Sequence, residues 1–369
     1  MSLEYVKELL HYAVEQDATD LHLLSGEPPK LRLFGEIEYI DKYRDPIPVN
    51  VLLAALRAMF EDDEDKTRIM RERMSVDFSY EYPEIGARFR VNAFFYRKGV
   101  GIVFRYLPSN LKPPSELGIP EVMLDVTNLP NGLILVTGPT GSGKSTTLAS
   151  MIHHIISRKK VHVITVEDPI EFIFESKLSQ VSQREVGSNT PSFLDGLRDA
   201  LREDPDVIMV GEMRDAETIT MAIRAALTGH LVLSTLHTNS AAQTVDRIIE
   251  TFPPEQQNNI RNILADSLRV VCSQAMFRRV DQKGRCVAFE ILLGTPAVRN
   301  LIREGKTHQI ISAIHSGRQL GMRALDDSIM ELLKVGKISP FDAYVKSLDK
   351  VKFKPYLKES GRNLFLELV

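Results

Sequence analysis

Hydrophobic and polar positions divide the chain into two stretches of different rhythm. Leu3, Val6, Leu10, Ala13 and Val14 recur at helical spacing, so the first segment predicts a helix with one buried face. "LHLLS" and "PKLRLFGEIEYI" follow as strand-like runs, with Gly35 at a turn or bulge. Residues 49–60 and 62–74 predict helices, the second heavily charged. In "ARFRVNAFF", Phe89, Val91, Ala93 and Phe95 alternate with Arg88, Arg90 and Asn92. In "GIVFRYL", Ile102, Phe104 and Tyr106 oppose Arg105. Side chains alternate across a strand, so this period puts apolar residues on one face and arginines on the other. A small α+β domain over residues 1–107 is the expected result.

"PSNLKPPSELG" ends that pattern, because Pro108, Pro113 and Pro114 continue neither a helix nor a central strand. It marks a linker over residues 108–117. Beyond it the apolar runs "GLILVTG", "VHVITVED", "DVIMVGE" and "HLVLSTLH" alternate with helical stretches. Short continuous apolar strands separated by helices predict a parallel sheet covered on both faces, here over 118–295. From 296 to 369 the chain reads as helices only. The expected fold class is α/β, with a small α+β domain ahead of the main one.

The candidate chemistry begins where the first of those runs ends. "GPTGSGKS" fits G-x-x-x-x-G-K-[ST] through Gly138, Pro139, Thr140, Gly141, Ser142, Gly143, Lys144 and Ser145, with Thr146 next. Glycines let backbone N–H groups turn toward phosphates. Lys144 is expected to reach the β- and γ-phosphates of ATP, and the Ser145 hydroxyl to ligate Mg²⁺. The strand "LILVT" before the loop and the helix "STTLASMIHHII" after it supply the context this function needs.

Three further strand tips carry polar groups, where ligands of open parallel sheets collect. "VITVEDPIEF" brings Glu167 and Asp168 to one tip, with Pro169 ending the strand. "DPDVIMVGEMRD" is a Walker-B-like strand with Glu212 after Gly211, and "GHLVLSTLHTNSA" sets His230 and His237 on either side of a third strand. Hydrolysis needs a water in line with the γ-phosphate and a group to orient or deprotonate it, a role that suits a strand-tip carboxylate. His237 is placed to sense the γ-phosphate. Arg88, Arg90 and Arg105 are candidate arginine fingers, since a planar cation with several donors suits that charge. Arg97 does not share their parity and is the weakest of the set.

Composition narrows the cargo. Hydrophobic residues are 43% and charged residues 26%, with net charge −3 and pI near 6.3. No global basic field draws the chain to nucleic acid, and neither a basic stripe nor an aromatic stacking platform is evident. Two cysteines, Cys272 and Cys286, make neither a disulfide framework nor a four-cysteine zinc site. No apolar run reaches the length of a membrane span, and the N-terminus lacks the layout of a signal peptide, so a cytoplasmic location is expected.

Together these segments resemble the secretion-superfamily ATPases, most closely the PilT-type retraction ATPases of bacterial type IV pili. "ATDLHLLSGEPPKLRLFGEI" and "ARFRVNAFF" are similar to the family's N-terminal signature and arginine strand. "ITVEDPIEF" is similar to its aspartate box, "LREDPDVIMVGEMRD" to its Walker B region and "GHLVLSTLHTNSAAQTVDRI" to its histidine box. "GTPAVRNLIREGK" resembles the motif associated with retraction: Ala297, Val298, Arg299, Asn300, Leu301, Ile302, Arg303 and Glu304. Val298 stands where isoleucine is usual, Lys98 where an arginine is, and Ser234 where a glycine is common.

The resemblance implies a homohexameric ring whose subunits join a PAS-like N-terminal domain to a RecA-like ATPase domain. It implies that Glu167 serves as general base and that Glu212 helps to hold Mg²⁺ and water. The division of labour between the two stays open. The expected function is a motor at the cytoplasmic face of the inner membrane, peripherally associated through the pilus machine and driving its platform protein. Pilus extension or type II secretion assembly is the alternative within the superfamily. Those ATPases typically carry a longer N-terminal region and a four-cysteine zinc site, and neither is expected here. A nucleotide-dependent switch and a nucleic-acid translocase are the alternatives from other classes.

Overall fold

The computed structural model describes residues 2–33, 35–61, 63–107 and 111–359. Positions 108–110 of the expected linker and 360–369 of the tail lie outside the described residues. The chain forms two compact units, one of residues 1–110 with 171–173, the other of 111–170 with 174–369.

The first unit is an antiparallel sheet with helices on one face. Its strands are β1 (Asp20–Leu24), β2 (Lys30–Leu33), β3 (Glu36–Tyr39), β4 (Ser75–Tyr82), β5 (Ala87–Tyr96) and β6 (Gly99–Leu107), in the order β3-β2-β1-β6-β5-β4. The helices Ser2–Glu15 and Val49–Phe60 bury Val6, Leu9, Leu10, Leu52, Ala55 and Leu56 against it. Alternation on β5 holds as expected through Ala87, Phe89, Val91 and Ala93, all buried. Phe95 departs from it at 43% exposed, because it sits at the strand end beside the Arg97–Lys98 turn. Strand β4 was not expected from the sequence. It follows a charged helix (Glu64–Arg73) after the single left-handed residue Met74, so no turn cluster announces it.

In the second unit the strands are β7 (Gly132–Thr137), β8 (His162–Glu167), β9 (Gln180–Glu185), β10 (Val207–Val210), β11 (Leu231–Leu236), β12 (Leu268–Arg278) and β13 (Arg285–Leu293). Their order is β13-β12-β7-β11-β10-β8-β9. The four apolar runs form β7, β8, β10 and β11, nearly every position of which is buried because helices cover both faces. The expected parallel sheet is corrected at one edge: β13 runs antiparallel to β12, so the sheet is mixed. The sequence reading also missed β9 and β12. The former is a polar edge strand, "QVSQRE", and the latter carries Ser273 and Gln274 in its buried middle. Beyond residue 295 the elements among the described residues are all helices, as expected; Ile329, Ala343 and Phe353 pack with Ala275, Phe277 and Ala288 of the β12–β13 pair.

Candidate nucleotide site

A parallel sheet gathers its loops at the carboxyl ends of its strands, and β7 delivers the P-loop there. Gly138, Gly141 and Gly143 all have φ in the left-handed region, at 146°, 78° and 91°. At Gly138 the requirement is also one of space. A Cβ there would lie 2.5 Å from the carbonyl oxygen of Gln274 and 2.6 Å from Ser142 Oγ. The loop leads into the helix Lys144–Ile156, whose first N–H groups and positive dipole end face the same region.

Lys144 is buried, and its ammonium curls back over the loop. Nζ donates to the carbonyl oxygens of Gly138 (2.9 Å) and Pro139 (3.2 Å) and lies 3.5 Å from His237 Nδ1. Ser142 Oγ is buried with no hydrogen-bond partner among the described residues. An orphaned hydroxyl, a glycine cradle and a buried cation at a helix start together fit a phosphate chain. Ser145 and Thr146 are half-buried at the helix start, where Ser145 fits a role as a Mg²⁺ ligand. Among the described residues no cluster of three or more His, Cys, Asp or Glu could cage a metal.

The strand tips supply the remaining groups. Glu212, two residues beyond β10, receives Arg214 on Oε1 at 2.6 Å and lies 3.5 Å from His237 Nε2 through Oε2. His237 follows β11 directly, and its two ring nitrogens face opposite partners. The structure therefore brings Lys144, His237 and Glu212 into one chain of contacts. Glu167 ends β8, is buried, and accepts from Thr165 Oγ1 at 2.8 Å and Gln183 Nε2 at 3.1 Å through one oxygen. It is tied to the Glu212 segment through backbone, since Gly211 N–H donates to the carbonyl of Val166.

His230 does not join this cluster. It precedes β11, at the end of the strand opposite His237, and its Nδ1 lies 3.0 Å from the carbonyl oxygen of Ala225. The two histidines bracket the strand as expected, and a strand of this length, about 20 Å, sets His230 apart from the other candidate catalytic groups.

In the first unit, β5 and β6 place Arg90 directly opposite Arg105 on the face away from the core. Arg88 pairs with Glu81 at 3.1 Å, Arg90 lies 3.8 Å from Asp77, and Arg105 donates to the buried Asp20 at 2.9 Å.

The Ala297–Glu304 segment forms the helix Pro296–Arg303 and its C-cap, started by the Thr295 hydroxyl. Val298 and Ile302 are buried and Leu301 packs against the core, as the periodicity predicts. Arg299 Nε donates to the Gly294 carbonyl at 2.9 Å, Arg303 pairs with Asp266, and Glu304 pairs with Lys306 at 2.7 Å. Ala297 and Asn300 are exposed.

Several residues here escaped the sequence reading. Thr165 and Gln183 hold Glu167, and Gln274 backs the P-loop while donating through Nε2 to Thr147 at 2.7 Å. For Thr165 and Gln274 the available signal was a polar side chain inside an otherwise apolar strand; Gln183, in the polar strand β9, had none.

Comparison with known proteins fixes the class. The chain belongs to the type II/IV secretion system protein family, whose model matches residues 2–337. Over 342 residues it is 48% identical to the type IV pilus retraction ATPase PilT of Pseudomonas aeruginosa, covering 93% of this chain and 98% of that one. A twitching motility protein of Neisseria gonorrhoeae is 49% identical over 278 residues, 75% of this chain and 74% of its own. Among solved structures, the pilus retraction motor PilT with bound ADP superposes with a TM-score of 0.86 at 42% identity, covering 96% of this chain and 98% of that one. The ATPase DotB of Legionella pneumophila follows at 0.78 and 30%, covering 92% and 94%. The resemblance to PilT-type ATPases is thus upheld over both units, and the chain is an ATPase of that type.

Proposed function

We propose that the chain is a ring-forming ATP motor that powers type IV pilus retraction from the cytoplasmic face of the inner membrane, acting on the pilus platform protein. The observation that carries this reading is the Lys144–His237–Glu212 chain at the strand tips, in a protein that matches nearly the whole length of a retraction ATPase. Lys144 and the P-loop amides hold the phosphates. Mg²⁺, held by Ser145 and Glu212, would supply charge neutralisation between the β- and γ-phosphates. Glu167 or Glu212 takes the proton of the attacking water, and His237 registers the γ-phosphate from between Lys144 and Glu212. Arg88, Arg90 and Arg105 are assigned to the γ-phosphate of a neighbouring subunit, so that hydrolysis and phosphate loss release that interface.

Light scattering with and without ATP, run beside phosphate release, tests the reading. A six-subunit mass with Mg²⁺-dependent hydrolysis is expected. A monomer that binds ATP without turnover would remove the arginine mechanism and favour a nucleotide switch.

The retraction helix separates chemistry from output. Arg299 is half-buried beside the exposed Ala297 and Asn300, and its Nε donates to the Gly294 carbonyl. Arg299→Ala is expected to abolish retraction in cells while hydrolysis by purified protein stays within about threefold, a change of roughly 0.6 kcal/mol in barrier. Equal loss of both would make the helix merely structural.

A further inference from the structure

A second buried carboxylate touches the loop that carries His237. Glu290 stands in the middle of β13, 1% exposed and opposite Ser273 of β12. Its Oε1 accepts from the Ala241 N–H at 2.6 Å and its Oε2 from the Leu325 N–H at 3.4 Å. These are the first residues of two ten-residue helices, Ala241–Glu250 and Leu325–Lys334. Each helix start offers unsatisfied N–H groups and a positive dipole end, so one carboxyl serves both. Burial pushes the pKa of Glu290 up, the two N–H donors pull it down, and the nearby Asp326 charge adds to the rise. No lysine, arginine or histidine forms an ion pair with it among the described residues. Isolated carboxylates are costly in a core. An apolar residue would avoid that cost while leaving the two N–H groups unpaired.

What hangs on Ala241 is the loop 237–240, which joins β11 to the helix Ala241–Glu250. A run of hydroxyls, half-buried at Thr238 and buried at Thr244, Thr137 and Ser273, anchors the same loop from the other side. Thr238 Oγ1 lies 2.7 Å from Thr244 Oγ1, which donates to the Ser240 carbonyl at 2.8 Å and lies 3.5 Å from Thr137 Oγ1. Thr137 in turn lies 2.8 Å from Ser273 and immediately precedes Gly138 of the P-loop. Glu290 and these hydroxyls thus set the height of the loop relative to the phosphate cradle.

We propose that Glu290 is a positioning residue for ATP hydrolysis: through Ala241 it fixes how the 237–240 loop presents His237 to Lys144 and Glu212, and through Leu325 it ties that position to the C-terminal helices. The inference rests on the reading of His237 as a phosphate-facing group. A carboxylate can accept from both N–H groups. An amide of the same shape accepts from one and turns its own NH₂ toward the other.

The test is steady-state hydrolysis by the full-length protein carrying Glu290→Gln, His237→Ala, or both. Glu290→Gln is expected to lower kcat about tenfold or more, with the KM for ATP within about twofold of the parent, because the loop is misplaced and the P-loop is not. The double variant is expected to be about as slow as His237→Ala alone, since both changes act through one loop. Full additivity of the two effects would mean that Glu290 only supports the fold and would overturn the inference. So would an unchanged kcat in Glu290→Gln while His237→Ala is impaired. An unchanged kcat in His237→Ala would overturn the reading of the site, and the inference with it. If Glu290→Gln does not fold, Glu290→Asp takes its place: the charge stays but retracts by about 1.5 Å, too far to hold both helices. The same outcomes then decide.

Discussion

Lys144→Ala is expected to remove ATP binding and hydrolysis together. The ammonium is buried at the centre of the loop, within reach of the Gly138 and Pro139 carbonyls and of His237. At an effective dielectric near 20, a unit charge about 4 Å away interacts with a phosphate charge by roughly 4 kcal/mol. Losing that much reduces affinity by about a thousandfold. Titration with a fluorescent ATP analogue, beside phosphate release and a melting curve, checks the result. A variant that melts normally yet binds ATP within about tenfold of the parent (roughly 1.4 kcal/mol) would show that the phosphates lie elsewhere.

Glu212→Gln carries the second large effect, with the opposite split between binding and turnover. The amide keeps the shape of the side chain and loses its charge. It can no longer draw in Arg214 and His237 as an anion does. Removing a group that orients or deprotonates water lowers turnover by about 10² to 10⁴, whereas contacts to the phosphates survive. kcat is therefore expected to fall by at least about a hundredfold, with ATP affinity within a few-fold. Glu167→Gln is expected to behave in the same direction. Its Oε1 already accepts from Thr165 and Gln183, so a rotated amide would set NH₂ against donors and disturb β8 and β9 as well. The larger kcat loss, measured at saturating ATP with melting temperatures matched, identifies which carboxylate acts as base. Normal turnover in both variants would sink the assignment of the strand tips to catalysis.

Much of the site was legible because its signals are local. A P-loop is contiguous, so the pattern that marks it as a phosphate cradle is read from eight adjacent residues, Gly138 to Ser145. Strand tips were readable too: a parallel strand is an unbroken apolar run, so the first polar residue after it marks the carboxyl edge of the sheet. That reasoning placed Glu167, Glu212 and His237 correctly at strand ends. It also set His230 at the opposite end of β11, and that end lies apart from the Lys144–His237–Glu212 contacts, because sharing a motif does not bring two residues to one edge of a sheet.

The sequence by itself determined the alternation of β5, the buried face of the first helix, the phosphate cradle and the inward face of the helix at Pro296–Arg303. Each follows from a period or motif within some fifteen residues. Tertiary structure alone decided the antiparallel edge at β13, the polar strand β9, the Lys144–His237–Glu212 chain and the joining of two helix starts by Glu290. Those features depend on partners outside any one local pattern, 18 positions apart for β8 with β9 and 93 for Lys144 with His237, and a polar residue within an apolar run does not disclose its partner. The physical reason is the same in each case: a buried polar group must find a hydrogen bond, and only the packed chain determines which one it finds.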